Sequence, residues 1–212
     1  MAECLLCHSL VENTIKGADD RIFYTCSTCS LIFSDKKHHL NAIQEKARYL
    51  NHDNSLLDQN YLDFLSKAVV PALSFLNPTM QGLDYGCGPV LALQHILEKN
   101  NIACASYDPY FYPSSTSATS SAYDFIFSTE AFEHFYNPAL ELTKLKEMLK
   151  NKGFLIIMTE FHQGKDHFKN WYYTRDPSHV CFYNLSVFDY ICTEYNLSPV
   201  FTDNKRVIIL QK

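Results

Sequence analysis

The 212-residue sequence has no run of basic residues, and 18 Lys+Arg against 23 Asp+Glu leave a formal charge of -5. Nucleic-acid binders carry clustered lysine and arginine, so this balance counts against a nucleic-acid partner. No window approaches the ~20 apolar residues of a membrane-spanning helix. The amino-terminal stretch, with Glu3, Glu12, Asp19 and Asp20, has no apolar run of signal-peptide length. A cytoplasmic chain without membrane association is expected. A disordered composition is also absent, since 47% hydrophobic, 14% aromatic and 19% charged residues suffice to bury a core. The length suits one ordinary domain with a small appendage.

Eight cysteines are present, which in a reducing compartment point to metal ligation and buried thiols. Cys4-Leu5-Leu6-Cys7 and Cys26-Ser27-Thr28-Cys29 are two C-x2-C pairs separated by 18 residues, the spacing of four-cysteine zinc sites. Two tight turns each aiming two thiolates at one point close a tetrahedron around Zn2+. The polar turn from Lys16 to Asp20 and the β-prone stretch Ile22-Phe23-Tyr24 complete a zinc ribbon over 1–35. So short a segment buries too little surface to fold alone, and structural zinc supplies what is missing. The alternative of two redox pairs fits less well, because such a motif normally stands alone at a strand-to-helix junction. His8, His38 and His39 are not needed as ligands.

Residues 36–78 form a helical linker. Leu50, Leu56, Leu57, Tyr61, Phe64, Leu65, Ala68 and Val69 fall largely at helical spacings, and Asp58 can cap the second of two helices before Asn77-Pro78 ends the pattern. The polar, aromatic stretch Tyr49–Asn54 reads equally as part of a lid or as an exposed loop.

From residue 79 onward the chain reads as an α/β domain. Gly82-Leu83-Asp84-Tyr85-Gly86-Cys87-Gly88-Pro89 is a strand running into a glycine turn, followed by a helix through Leu93, Ile96 and Leu97. A second strand over 102–107 ends at Asp108, 20 residues after Gly88. A G-x-G turn admits close backbone approach to a ligand, and an acid at that distance can hold a ribose diol. The third glycine that serves a dinucleotide pyrophosphate is absent, and Leu91 stands in its place. With Asp84 two residues before the first glycine, the pattern suits a ligand whose polar end is an amino acid.

These residues resemble motif I of the class I S-adenosylmethionine-dependent methyltransferases, and later segments agree. Asp108-Pro109 resembles the ribose-gripping motif. Residues 123–130, followed by Phe132-Glu133-His134-Phe135, are similar to the fourth strand and its loop; residues 152–159 are similar to the glycine turn and fifth strand. The resemblance covers roughly residues 80–159 by motif. It implies a Rossmann-like sheet, S-adenosylmethionine as cofactor, and Asp84, Gly86, Gly88, Asp108, Pro109, Ser128 and Glu130 as cofactor neighbours. Together with the amino-terminal ribbon, it points to an uncharacterised bacterial subgroup carrying a fused zinc module.

One departure has consequences. Only 14 residues separate Asp108 from Tyr123, too few for two helices and a third strand. The expected parallel order is therefore 2-1-4-5, closed by a hairpin of 199–201 and 206–210. The residue that caps the adenine after strand three is lost with that strand, and Tyr49–Asn54 is a candidate cover.

The stretch 161–183 follows the carboxyl end of the fifth strand, where open α/β sheets bind ligands. Trp171, Tyr172 and Tyr173 are expected to shape the substrate pocket. Methyl transfer to an O–H or acidic C–H acceptor needs a proton acceptor, a role that suits His179, with Asp176 as its orienting carboxylate and His134 as a second candidate. A buried structural role for His179 is equally compatible with the sequence. His162, His167 and His179 match no standard metal-ligand spacing. The expected activity is methyl transfer to a small molecule or protein; an RNA methyltransferase gripping RNA through the ribbon and a non-catalytic cofactor-binding module are the alternatives.

Overall fold

The computed structural model describes residues 1–17, 19, 21–50, 55–113 and 122–212. The ribbon begins with β1 (Ala2–Glu3) and β2 (Leu10–Val11), which pair antiparallel. It continues through β3 (Thr14–Lys16), β4 (Ile22–Thr25) and β5 (Ile32–Ser34), an antiparallel run. The linker then supplies α1 (Ala42–Leu50) and α2 (Gln59–Ala72). Asp58 caps α2 as expected, its carboxylate accepting from the amides of Asn60 and Tyr61 and so satisfying orphan donors of the first turn.

Next come β6 (Gln81–Tyr85), α3 (Ala92–Lys99), β7 (Ala103–Tyr107), β8 (Tyr123–Thr129), α4 (Pro138–Met148) and β9 (Leu149–Met158). The short helix α5 (Lys165–Phe168), β10 (Cys181–Phe182), α6 (Leu185–Tyr195), β11 (Ser198–Thr202) and β12 (Val207–Gln211) complete the chain. The six-stranded sheet has the order β11-β12-β9-β8-β6-β7. Strands β7, β6, β8 and β9 run parallel, and β12 and β11 close the far edge as an antiparallel hairpin. This is the Rossmann-like arrangement expected. Among the described residues no strand pairs with the outer edge of β7, which agrees with the missing third strand; residues 114–121 of that connection lie outside the described residues.

Alternation along the strands builds two cores. Phe125, Phe127, Ile156, Met158, Val207 and Ile209 face α2 and α3. Leu83, Ile126, Leu155, Ile157, Ile208 and Leu210 face the other way, toward α4, α6 and the ribbon. Both faces are covered, which is why these strands read as nearly continuous apolar runs. Gly82 is required by this packing, since a Cβ there would lie 2.0 Å from the Phe125 ring.

The division near residue 35 does not separate two cores. Leu5, Leu31 and Phe33 of the ribbon share one apolar cluster with Leu142, Val187 and Phe188. Strand β10 also pairs with β5, so the ribbon sheet has the order β10-β5-β4-β3 and borrows a strand from beyond the fifth strand of the main sheet. Among the described residues no helix is long and apolar enough to cross a membrane.

Candidate active site

The four ribbon cysteines converge as their spacing predicts. Backbone bonds from the His8 amide to the Cys4 carbonyl and from the Ser30 amide to the Cys26 carbonyl close two matching turns. Each turn uses a left-handed residue, His8 (φ 61) and Ser30 (φ 65). The Cys4 and Cys29 sulfurs are 3.5 Å apart and those of Cys7 and Cys26 3.4 Å. A tetrahedral zinc with 2.3 Å bonds needs edges of about 3.8 Å, so the four sulfurs fit such an ion with little movement. His8 is engaged elsewhere, with Nδ1 2.8 Å from Glu3.

A cavity of about 680 Å3 opens at the carboxyl ends of the parallel strands, where the sequence placed the cofactor. The turn after β6 lines one side. Gly86 (φ 86) and Gly88 (φ 65) hold backbone conformations that side chains rarely adopt, and a Cβ on Gly86 would press within 2.7 Å of Ala131. Asp108, at the end of β7, braces this turn: its carboxylate accepts from the Gly88 amide at 3.1 Å and from the Tyr110 amide at 2.8 Å. Asp84 is buried among these groups, and one of its carboxylate oxygens has no partner. Burial and the neighbouring Asp108 raise its pKa from 3.8 to about 8. Such a carboxylate is held in its neutral form until a positive group arrives. Pro109 also borders the cavity.

The opposite wall comes from β8 and the turn after it. Glu130 (φ 49), the residue after β8, holds a left-handed conformation, unusual for a residue with a side chain. Burial and the adjacent Glu133 push its carboxyl well above the ordinary range. The Tyr173 hydroxyl donates to Glu133 Oε1 at 2.6 Å and lies 3.2 Å from Glu130 Oε2. His134 and His179 meet here with ring centroids 4.8 Å apart. His134 Nδ1 lies 3.1 Å from the Ser178 carbonyl and His179 Nδ1 lies 2.8 Å from the Tyr173 carbonyl. A carbonyl only accepts, so both Nδ1 atoms carry a proton, and in a neutral ring the lone pair is on Nε2. Burial and the nearby His134 lower the pKa of His179 to about 4.

The ribbon fixes His179 in this position. Ser34 of β5 donates its amide to the Val180 carbonyl at 2.8 Å, and Val180 donates its own amide to the Glu133 carbonyl at 2.8 Å. The ribbon strand β5, the histidine loop and the turn after β8 are therefore joined by successive main-chain bonds.

Several expected site residues lie elsewhere. Trp171 packs against Phe168 and Phe182 in the ribbon's core, Tyr172 is 59% exposed, and Tyr173 is buried beneath Glu133. None of the three lines the cavity, because β10 draws their segment onto the ribbon. Ser128 is fully buried and donates to the Tyr85 carbonyl, so it holds strands together. Asp176 does not orient the His179 ring: its carboxylate accepts three bonds from Arg48 and two from Ser178. Although burial opposes ionisation, those bonds hold Asp176 below the ordinary carboxylate range.

The linker contributes more than the sequence suggested. Glu45 of α1 is buried, accepts from Tyr49 at 2.6 Å and Tyr110 at 2.7 Å, and lines the cavity with both tyrosines. Arg48, one turn on, reaches Asp176 at 2.7 Å. Helix α1 thus roofs the site with Tyr49; residues 51–54 of the expected cover lie outside the described residues. An acid and a tyrosine four residues apart on a helix were visible in the sequence, but not which face would meet the cavity. Glu133 is marked in the sequence only by the Glu-His dipeptide that follows a strand.

A family model described as a methyltransferase domain matches residues 49–200. No curated protein matches the chain. Among solved structures, a methyltransferase from Archaeoglobus fulgidus is similar at 12% identity, with a TM-score of 0.55 and coverage of 71% of this chain and 94% of that one. The 1,6-didemethyltoxoflavin-N1-methyltransferase of Burkholderia thailandensis is similar at 11% identity, with a TM-score of 0.54 and coverage of 95% and 99%. The family match over most of the chain, joined to the parallel sheet and the glycine turn at its carboxyl edge, places this chain in the methyltransferase-domain family as a class I S-adenosylmethionine-dependent methyltransferase.

Proposed function

We propose that the enzyme binds S-adenosylmethionine across the ends of β6 and β7 and methylates a small molecule held beside Glu133, His134 and His179. The observation that carries this reading is the buried Asp84 carboxylate, with an oxygen that has no partner, beside the open glycine turn. An amino-acid ligand brings the ammonium group that such a carboxylate lacks. In this pose Gly86 and Gly88 border the amino-acid end, and Asp108 and Pro109 the ribose. Tyr49 of the roof helix lies near the adenine. When bound, the cofactor supplies an electrophilic methyl group on a sulfonium.

The chain's contribution is positioning: the cavity walls hold the acceptor in line with that methyl group, at about 3 Å. In a cation-free site, His179 Nε2 is the atom that takes the proton of an O–H acceptor. A cavity of about 680 Å3 suits a small ligand. Glu45, Glu133 and Glu141 on its wall oppose an RNA backbone, which favours the small-molecule reading. The Burkholderia enzyme, bound to 1,6-didemethyltoxoflavin and S-adenosylhomocysteine, supports it by fold. The four ribbon thiolates would hold one structural zinc, which keeps the His179 loop in place.

Calorimetric titration with S-adenosylhomocysteine tests the first half, and transfer of a labelled methyl group into fractionated small metabolites, proteins and RNA tests the second. One-to-one cofactor binding with label in the small-molecule fraction is expected. Absence of cofactor binding, or label confined to RNA or protein, would overturn the reading.

A further inference from the structure

We propose that Glu133, His134 and His179 form a site for one divalent transition-metal cation, such as Mn2+, Fe2+, Co2+ or Zn2+, separate from the ribbon. The ligand atoms of the three side chains all lie within 4.8 Å of one another. Bonds of about 2.1 Å would set them roughly 3 to 4 Å apart, so a contraction of ~1 Å closes the shell. Two histidines and one carboxylate with open positions beside them are a recurrent metal-binding set, and imidazole with carboxylate favours cations of this class.

Three further observations point to a ligand. Glu133 is 0% exposed and its Oε2 has no hydrogen-bond partner. Among the described residues its one ion-pair partner is His134, at 4.0 Å. A fully buried carboxylate with an orphan oxygen is costly unless it is paired or coordinates a cation. Both imidazoles donate Nδ1–H to main-chain carbonyls, of Ser178 and Tyr173, leaving Nε2 free. Metal-binding histidines are oriented in that way, and the carboxylate's second oxygen is steadied likewise by the Tyr173 hydroxyl. Finally, all three side chains line the cavity, so a cation held by them would retain positions open to a ligand.

This deepens the methyl-transfer reading and rests on it for the substrate class, a hydroxyl compound whose oxygen completes the coordination shell. A hydroxyl bound to the cation becomes acidic and loses its proton to solvent. Its oxygen lone pair forms the new O–C bond while the methyl C–S bond breaks, and that electron pair goes to sulfur, with no change in oxidation state. His179 then serves as a ligand, and no proton need pass to it.

The test uses the full-length protein with its ribbon zinc quantified beforehand, titrated with Mn2+ without acceptor and followed by loss of the free Mn2+ electron-resonance signal. One Mn2+ per chain beyond the ribbon zinc is expected. Glu133→Gln, His134→Gln and His179→Gln should each weaken it by about 100-fold or more, with ribbon zinc unchanged. His134 is the partly exposed member, so its variant guards against failure of the buried Glu133→Gln to fold. S-Adenosylhomocysteine affinity is measured on the same samples. Its retention without an extra cation, whether Mn2+, Co2+ or Zn2+, would overturn the metal site alone, as would Mn2+ binding indifferent to all three substitutions. Its loss in the unmodified protein would instead overturn the cofactor reading.

Discussion

The protein holds two sets of metal-capable side chains, one in the ribbon and one on the cavity wall, and they are built differently. The ribbon thiols come from two local turns, each closed by its own backbone bond, so Cys4, Cys7, Cys26 and Cys29 converge with little help from the rest of the protein. Glu133, His134 and His179 converge only because β5 grips the segment around Val180 and that segment grips Glu133. The first arrangement is a property of spacing, and the second is a property of the assembled fold. The difference teaches that the ribbon is part of the active site's scaffold, although it contributes no side chain to the cavity wall.

The largest effect is expected from Cys26→Ser. Structural zinc contributes roughly 10–16 kcal/mol of apparent binding free energy, so loss of zinc by elemental analysis should accompany a large fall in melting temperature. Because β5 anchors the His179 loop, turnover should fall as well. A zinc-free variant with ordinary turnover would break the link between the two regions.

Next in size is His179→Ala, expected to lower turnover by about 10²–10⁴-fold while S-adenosylhomocysteine affinity stays near that of the parent protein. Steady-state rates beside calorimetry check this. Equal losses of rate and cofactor affinity would make His179 a purely structural residue.

Asp108→Ala should cost about 1.5–3 kcal/mol of cofactor affinity, or roughly 10- to 150-fold in Kd. Since Asp108 also braces the Gly88 turn, Asp108→Asn, which keeps one acceptor, should lose less. Unchanged affinity in both would move the ribose elsewhere.

Asp84 offers a smaller, pH-dependent effect. Its pKa is raised to about 8 in the unliganded fold, so its stabilising contribution is present in acid and is lost as pH rises through about 8. Arrival of the cofactor's ammonium should ionise it, releasing nearly one proton at pH 7. Calorimetry in buffers of different ionisation heat measures that release, and Asp84→Asn should abolish it.

The smallest effect is expected from Arg48→Ala. Its ion pair with Asp176 is partly exposed, so its loss should cost less than about 1 kcal/mol. A loosened roof should raise the KM for the acceptor with little change in kcat. A fall in kcat of the size seen with His179→Ala would show that the roof positions the reacting groups directly.

Much of the cofactor half was legible from local order. Asp84, Gly86 and Gly88 lie within five residues, and Asp108 ends the next strand, so parallel pairing of β6 with β7 was enough to bring them together. The short Asp108–Tyr123 connection likewise left no room for a third strand. The acceptor half was not legible in the same way. Trp171, Tyr172 and Tyr173 follow the correct strand for a pocket, yet pairing of β10 with β5 turns them toward the ribbon or the surface. Asp176 lies three residues before His179 but is claimed by Arg48, from a helix 128 positions away.

The sequence alone determined what depends on short separations: the thiol pairs, the glycine turn, the acid after the second strand, the Asp58 cap, and the apolar strands covered on both faces. Each follows from spacing, backbone freedom or periodicity, which act within a few residues. Only the tertiary structure decided that the ribbon sheet would recruit β10, that α1 would roof the cavity, and that Glu133 would meet His134 and His179. Those outcomes depend on which surfaces are buried together. Many surfaces on this chain are apolar enough to compete, and only the complete fold satisfies the hydrogen bonds of the strand edges while covering both faces of the sheet.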